Sequence, residues 1–299
     1  KITIYGAGAI GLWLGAQLAR AGAQVSAVAR GAALQALQQD GMVLHSAGTT
    51  LRSPVTAVQD PAALGVQDLV IVSVKAPALR AVAQHIAPLL GPNTMVLSAM
   101  NGVPWWFLQG FGGSYAGAAL QSVDAGGSIA QHIAAQHIVG CVVHASCSTS
   151  APGVAQHHFG NVLIIGEPSG EKTTRVLALQ ALFAQAGFDT KVSEQMQKDI
   201  WYKLWGNMTI NPISAITGAT TDKILDDDLV RGFVSSIMLE AKAIGEHIGI
   251  PIAQQPEDRH MVTRKLGAFK TSMLQDVEAG KPVELDALVG AVQELGRMT

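Results

Sequence analysis

Charged residues are scarce in this sequence. Of its 299 residues, 14% are Asp, Glu, Lys or Arg, against about 25% in an average soluble domain. The 20 basic and 22 acidic residues give a formal net charge of −2, which excludes a generally basic nucleic-acid-binding protein. The charges are also unevenly distributed, because residues 81–166 contain one, Asp124, whereas residues 167–299 contain 32 of the 42.

Long apolar runs, an export signal and paired cysteines are also missing. Apolar runs such as Leu69–Val74 are far shorter than the roughly 20 residues that a membrane-spanning helix needs. The first residues contain no basic region followed by an apolar core, the pattern of a secretory signal. If Cys141 and Cys147 lie on one strand they are about 20 Å apart, too far for a disulfide bond. We therefore expect free thiols in a cytoplasmic protein with no membrane partner.

Metal catalysis and hydrolase chemistry have no support in the sequence. None of the nine histidines forms an H-x-x-x-H or H-E-x-x-H pattern, and the two cysteines lack zinc-site spacing. No G-x-S-x-G motif is present either. The pair His157-His158 is most simply interpreted as part of a turn or surface. We therefore expect no metal cofactor.

The first thirty residues contain the strongest motif. A β-rich run, Lys1–Tyr5, precedes Gly6-Ala7-Gly8-Ala9-Ile10-Gly11, then a helix predicted over Leu12–Ala21 and a second β-rich run, Gln24–Ala29. This order of strand, glycine turn, helix and strand is the context that a dinucleotide-binding motif requires. The first glycine would allow the tight turn, the second the approach of a pyrophosphate, and the third close packing of the helix on the strand.

The residue that closes the second β-rich run indicates which nucleotide is bound. NAD-binding proteins usually place Asp or Glu at this point, where it accepts hydrogen bonds from the ribose hydroxyls. Here the position is Arg30, which cannot accept such a bond but can pair with a 2′-phosphate. The sequence therefore predicts NADP(H) rather than NAD(H) as the cofactor.

The whole pattern predicts an α/β fold, with an N-terminal Rossmann-type dinucleotide-binding domain and a C-terminal all-helical domain. In the first domain we expect strands over Asp68–Val74, Thr94–Ala99 and Phe188–Val192, helices over Pro77–Leu90 and Glu171–Ala186, and a β-rich region from about Tyr115 to Ile165. After Ser193, charges return at helical spacing and predict helices over Glu194–Ile210, Asp226–Ile248 and from Pro256 to the end. We place an NADP(H)-binding domain at residues 1–192 and a helical substrate and catalytic domain at residues 193–299.

Polar residues that suit a ligand site follow two strands and line one predicted helix. Lys75 and Asn101 follow strands of the first domain, at the carboxyl ends where open parallel sheets bind ligands. Lys203, Asn207 and Asn211 are spaced four residues apart and therefore share one helix face. Asn is a poor helix former and unpaired buried polar groups are costly, so we expect a polar ligand beside this apolar segment.

Taken together, these segments resemble the ketopantoate reductase (2-dehydropantoate 2-reductase) family, in the family's order and over nearly the whole chain. The matching segments are Gly6-Ala7-Gly8-Ala9-Ile10-Gly11, Arg30, Val74-Lys75-Ala76, Asn101-Gly102-Val103, Lys203-Leu204-Trp205-Gly206-Asn207 with Ile210-Asn211-Pro212, Ser272-Met273-Leu274-Gln275-Asp276 and Val283-Glu284-Leu285-Asp286. Pro104-Trp105-Trp106-Phe107 suggests a subgroup with an aromatic loop near the cleft.

The resemblance implies NADPH-dependent reduction of 2-dehydropantoate to pantoate, a step towards pantothenate and coenzyme A. Lys203 would be the general acid that protonates the ketone oxygen, and Glu284 would hydrogen-bond the substrate and help to orient Lys203. The substrate's hydroxyl and carboxylate groups would be bound by Asn207, Asn211 and Ser272. Asn101 and Lys75 would sit between cofactor and substrate.

Two other functions remain open at this point. One is an NADPH-dependent reductase of another branched 2-oxo acid, and the other is an NADPH-binding sensor without turnover. The presence of both Lys203 and Glu284 argues against the sensor, because binding alone needs no acid. The family also leads us to expect a homodimer formed through the helical domain.

Overall fold

The computed structural model describes all 299 residues. The strands are β1 (Ile2–Tyr5), β2 (Val25–Val28), β3 (Met42–Ser46), β4 (Thr49–Ser53), β5 (Thr56–Val58), β6 (Leu69–Val72), β7 (Met95–Ser98), β8 (Ile138–Ala151), β9 (Val154–Gly166) and β10 (Asp189–Val192). The helices are α1 (Ala9–Arg20), α2 (Gly31–Asp40), α3 (Leu79–His85), α4 (Thr174–Gln185), α5 (Met196–Thr217), α6 (Thr221–Asp226), α7 (Asp228–His247), α8 (Pro256–Arg264), α9 (Ser272–Glu278) and α10 (Ala291–Met298).

The chain divides into two compact units. The first contains Lys1–Val74, Ala78–Met100 and Ser128–Met196, and the second contains Lys75–Pro77, Asn101–Gly127 and Gln197–Thr299. All ten strands belong to the first unit, which agrees with the predicted fold class. A single boundary near residue 192 does not describe the division, because two segments from the first half of the chain belong to the helical unit. No helix is both long enough and apolar enough to cross a membrane.

The first unit is built on one sheet with the strand order β4-β3-β9-β8-β7-β6-β1-β2-β5, and β10 pairs with β9. The part from β5 to β8 is parallel and has the Rossmann order, in which the chain starts in the middle and builds outward. Tyr5 is in register with Val28 and Val72. The carboxyl ends of β1, β2 and β6 therefore lie at the same edge of the sheet.

The predicted β-rich region is only partly correct. Strands begin at Ile138, and short 3-10 turns with several positive-φ glycines occupy much of the preceding segment. β8 and β9 then form a long antiparallel hairpin that turns at Gly153, where φ is +74°. Cys141 and Cys147 are free thiols on β8, as expected.

The interpretation of His157 and His158 as a turn or surface pair is only partly correct, because both lie on β9 and His158 is exposed, whereas His157 is half-buried. The His157 ring stacks on Trp13 with an interplanar angle of 4° and centroids 5.4 Å apart. The same ring accepts or donates a hydrogen bond at 3.0 Å to Ser46 Oγ. The His157 side chain therefore contributes to the packing of the first unit. Its position in the sequence did not indicate this role.

The second unit has an aromatic core. Trp105, Trp106 and Phe107 are buried, and the Phe107 ring lies 6.1 Å from that of Trp201. The expected aromatic loop therefore fills the interior of this unit and does not line a cleft. One turn further along α5, Trp205 Nε1 donates to the Met238 carbonyl oxygen at 2.7 Å, which ties α5 to α7.

Two predicted helices of the second unit differ in length from those observed. We expected the helix after Ser193 to end at Ile210, but α5 continues through Pro212 to Thr217. Proline cannot donate a backbone hydrogen bond, and the packing of buried residues on both sides of it, such as Asn211 and Ser214, outweighs that loss. The segment from Pro256 to the end forms separate helices, because residues 265–271 and 279–284 interrupt it.

Candidate active site

The glycine motif of the first unit forms a tight turn between β1 and α1. Gly6 has φ +106°, and a Cβ there would lie 2.6 Å from Val74 Cγ1, so a side chain is not tolerated. Ser73 Oγ donates to the Gly6 carbonyl oxygen at 2.9 Å and ties the turn to the end of β6. A Cβ at Gly11 would overlap the same carbonyl oxygen, so that α1 passes directly over the turn.

Gly8 is the N-cap of α1 and is exposed to solvent. No side chain caps this helix, and a Cβ at Gly8 would meet no atom closer than 3.9 Å. The backbone N–H groups of the first turn, which includes Ala9 and Ile10, are therefore open to a ligand. A helix N-terminus of this kind binds phosphate through its N–H groups and its positive potential, and the turn fits the pyrophosphate of a dinucleotide.

Arg30 follows β2 at the same edge of the sheet as the glycine turn. It is the exposed N-cap of α2, with extended backbone angles, and its side chain forms no ion pair with an acidic residue. Burial raises the pKa of the Tyr5 hydroxyl at the end of β1, and the positive charge of Arg30 opposes that rise. Arg30 is thus a free cation beside the glycine turn.

The remaining predicted site residues belong to the second unit, namely Lys75, Asn101, Lys203, Asn207, Asn211, Ser272 and Glu284. The central contact joins α5 to the loop after β7. Lys203, half-buried on α5, donates from Nζ to Asn101 Oδ1 at 2.8 Å. Lys203 and Asn101 lie on different elements, and the sequence predicted each as a site residue for a separate reason.

The loop that carries Asn101 is fixed by its own backbone. Val103 N donates to the Ala287 carbonyl oxygen at 2.9 Å, and Gly102 has φ +82°. A Cβ at Gly102 would lie 2.6 Å from that same oxygen. Ala287 lies in a π-helical turn, Asp286–Gly290, that leads into α10, and such turns are frequent at functional sites. The contact holds Asn101 in place for Lys203.

Asn207 and Asn211 continue the Lys203 face of α5. Asn207 is half-buried and Asn211 is 7% exposed, yet neither side chain forms a hydrogen bond within the protein. Amide groups in such a position usually have partners. They are therefore available to bind hydroxyl or carboxylate oxygens of a ligand.

Glu284 lies just before the π-helical turn and is 6% exposed. Its carboxylate accepts hydrogen bonds from Ala76 N at 3.0 Å and from Lys75 Nζ at 3.3 Å. We had expected Glu284 to orient Lys203, but in the structure its cationic partner is Lys75. Burial lowers the pKa of Lys75, and the carboxylates of Glu284 and Asp276 outweigh that effect and raise it.

Sequence reasoning assigned no role to Asp276, although it completes this cluster. Asp276 accepts from Lys75 Nζ at 2.7 Å and is 8% exposed. Ser272 is the first residue of the same helix, α9, and its side chain is also without an internal partner. The signal was present in the sequence, because Ser272 and Asp276 are four residues apart and so share a helix face.

Comparisons with known proteins identify the family of this chain. Residues 2–105 match the family model described as ketopantoate reductase PanE/ApbA, and residues 195–299 match the model of the C-terminal part of the same family. A 2-dehydropantoate 2-reductase of Mesorhizobium japonicum is 46% identical over 299 residues, which covers 100% of this chain and 92% of that protein.

Solved structures give the same result. A candidate ketopantoate reductase from Ralstonia solanacearum MolK2 is 55% identical and has a TM-score of 0.95, with 100% of this chain and 91% of that chain covered. A 2-dehydropantoate 2-reductase from Geobacter metallireducens GS-15 is 28% identical and has a TM-score of 0.86, with coverages of 99% and 93%. The similarity extends over both units.

Proposed function

Since the chain belongs to the ketopantoate reductase PanE/ApbA family, we propose that it reduces 2-dehydropantoate to pantoate with NADPH. The observation that carries this proposal is the bond between Lys203 Nζ and Asn101 Oδ1, beside the free amides of Asn207 and Asn211. It places an ammonium group next to neutral hydrogen-bonding groups. This is the arrangement that a small, oxygen-rich substrate with a reducible ketone requires.

The cofactor would be held by the first unit. The pyrophosphate suits the backbone N–H groups of residues 6–11, and the 2′-phosphate suits the free guanidinium of Arg30. This side chain is the reason to propose NADPH rather than NADH. Lys75 and Asn101 would lie next to the nicotinamide end, with Lys75 held by Glu284 and Asp276. When bound, NADPH supplies the hydride that the ketone carbon receives.

The second unit would supply the proton and the substrate contacts. As the ketone carbon gains a hydride, negative charge develops on its oxygen, and the Lys203 ammonium stabilises that charge and donates a proton to it. Asn207, Asn211 and Ser272 would hold the hydroxyl and carboxylate groups, which fixes the ketone relative to Lys203. The products are an alcohol and the oxidised cofactor.

The proposal is tested by following NADPH oxidation with 2-dehydropantoate and with several other branched 2-oxo acids. We expect 2-dehydropantoate to give the highest kcat/KM of the series. A higher value with another acid would reassign the substrate within the same reaction. Tight NADPH binding without turnover of any acid would contradict the proposal and favour a sensor.

We also propose that the protein forms a homodimer through its helical unit. On α7, Leu229 and Phe233 lie one turn apart and are 86% and 59% exposed, which is unusual for large apolar side chains on one face. Light scattering should give a dimer mass for the wild type. A Phe233→Glu variant is expected to give a larger monomer fraction, and a monomeric wild type would exclude the dimer.

A further inference from the structure

Arg259, on α8, has a guanidinium group without a carboxylate partner. The side chain is half-buried, and its Nε atom is buried and has no hydrogen-bond acceptor. The other arginine on α8, Arg264, pairs with Asp226. Burial lowers the pKa of the Arg259 guanidinium, which reflects the cost of removing a cation from water without compensation.

The guanidinium group of Arg259 lies directly over Gly206 of α5. A Cβ at Gly206 would be 2.7 Å from Arg259 Nε and 3.1 Å from Nη2. Gly206 has no left-handed backbone angle, so its conformation does not require glycine. Glycine is required because a side chain at this position would occupy the space of the Arg259 guanidinium. The centre of the guanidinium also lies 5.4 Å from the centroid of the Tyr202 ring.

This position is next to the polar face of α5. Gly206 is three residues after Lys203 and one before Asn207, and residues three apart are neighbours on a helix surface. All of these residues belong to the second unit. Arg259 therefore adds a positive charge beside the residues to which we assign substrate binding, on the side of α5 occupied by Tyr202 and Gly206.

Among the site residues of the second unit, Arg259 is the cation best placed to pair with a substrate carboxylate. A 2-oxo acid carries a carboxylate, but Asn101, Asn207, Asn211 and Ser272 are all uncharged. Lys75 is already paired with Asp276 and Glu284, and Lys203 must approach the ketone oxygen. Contact with one aromatic ring offsets only part of the cost of burying a cation, whereas a carboxylate can take two parallel hydrogen bonds from a guanidinium group.

We propose that Arg259 binds the carboxylate of the 2-oxo acid substrate and thereby selects acids over neutral ketones. The inference rests on the proposed reductase function and adds to it a residue outside the motifs that resemble the family. Gly206 and Arg259 then act as a functional pair, because the Arg259 guanidinium can reach the substrate carboxylate only if residue 206 has no side chain.

The first test compares Arg259→Met, which preserves much of the volume, with Arg259→Lys, which preserves the charge. We expect Arg259→Met to raise the KM for 2-dehydropantoate by about 10–100-fold, the usual effect of losing a charge-assisted hydrogen bond, with a much smaller change in kcat. Arg259→Lys should recover part of that loss. Lys265→Gln removes the same charge from an exposed position at the end of α8 and should leave both constants unchanged.

The second test replaces the acid with its lactone, which has the same ketone but no free carboxylate. The wild type should favour the acid over the lactone, and Arg259→Met should reduce this preference by lowering the rate with the acid alone. If Arg259→Met affects both compounds equally, Arg259 has only a structural role. If it raises the KM for NADPH instead, the anion is a cofactor phosphate and the inference is wrong.

The third test examines the pair itself and does not depend on turnover. Gly206→Ala keeps Arg259 but displaces its guanidinium, so calorimetric titration with 2-dehydropantoate should show weaker binding of similar size to that of Arg259→Met. Unchanged affinity in both variants, with wild-type melting temperatures, would overturn the inference. If the wild type binds 2-dehydropantoate but does not reduce it, the proposed function is contradicted. The comparison of binding affinities would still test the role of Arg259.

Discussion

Lys203 Nζ and Asn101 Oδ1 lie 2.8 Å apart although their residues are separated by 102 positions in the chain. The contact depends on Gly102, where any side chain would strike the Ala287 carbonyl oxygen. The Asn101 loop therefore cannot move away from the π-helical turn without breaking the bond between Val103 N and that oxygen. The geometry fixes Asn101 Oδ1 as one acceptor of the Lys203 ammonium group.

We predict that Lys203→Ala lowers kcat by about 10²–10⁴-fold, the usual contribution of a general acid. NADPH should still bind, because Lys203 is not among its proposed contacts. Steady-state kinetics and fluorescence titration of the cofactor measure the two effects separately. Lys198→Ala, an exposed lysine on the same helix, is the matched control, and a near-normal kcat in Lys203→Ala would remove Lys203 from the mechanism.

Replacement of Glu284 should affect activity through Lys75. In Glu284→Gln the amide oxygen can still accept from Ala76 N, but the charge next to Lys75 is lost. We expect kcat/KM to fall by about 10–100-fold, measured by NADPH oxidation. Glu278→Gln, which breaks an exposed ion pair with Lys270 in the same unit, should have little effect. Equal effects of the two variants would show that Glu284 has no specific role.

The same cluster predicts a pH dependence. Because the carboxylates raise the pKa of Lys75, its ammonium is fully formed below the usual lysine value of about 10.4. The ion pairs are lost only as the pH rises through the raised pKa. Activity should therefore show no decline from Lys75 between pH 6 and pH 9. In Glu284→Gln the alkaline decline should begin at lower pH than in the wild type.

The parts of the fold that were predicted well are those with local signals. The turn at Gly6 and Gly11 and the parallel strands of the first unit follow from glycine spacing and apolar runs, and both are present as expected. The pairing of β3 with β9 and the burial of Trp106 were not predicted, since neither depends on a local pattern. Long-range packing determines them, and a single sequence does not show which distant residues meet.

The residues of the candidate site were likewise predictable only where the sequence has a local pattern. Lys203, Asn207 and Asn211 share a helix face by spacing alone, whereas the pairing of Glu284 with Lys75 joins segments more than 200 residues apart. Arg259 gave no signal, because it lies in a charged helix that resembles a solvated surface. Its proximity to Gly206 appears only when two helices are placed against each other.

Arg30 should determine which cofactor the protein prefers. Arg30→Ala removes the partner proposed for the 2′-phosphate, so the ratio of kcat/KM for NADPH to that for NADH should fall by about 10-fold or more, mostly through a higher KM for NADPH. Arg52→Ala removes an exposed arginine from β4 of the same unit and should not change the ratio. An unchanged ratio in Arg30→Ala would reject the proposed role.

The ion pair between Glu167 and Arg175 should make the stability of the first unit depend on pH. Glu167 is 5% exposed and accepts hydrogen bonds from Arg175 and Thr173. Burial raises the pKa of its carboxyl group, but these bonds outweigh burial and lower it. The folded chain therefore holds this proton less tightly than the unfolded chain does, and stability falls as the pH drops through the lowered pKa.

Glu167→Gln should accordingly lower the free energy of unfolding at pH 7 by about 1–3 kcal/mol, since it leaves Arg175 without its carboxylate. The difference from the wild type should shrink as the pH falls below about 4, where the wild-type carboxylate becomes protonated and the same stabilisation is lost. Urea unfolding at a series of pH values measures this convergence. Glu171→Gln, at an exposed position four residues away, should differ little from the wild type throughout, whereas a Glu167→Gln deficit that stays constant with pH would mean that packing, and not charge, gives Glu167 its effect.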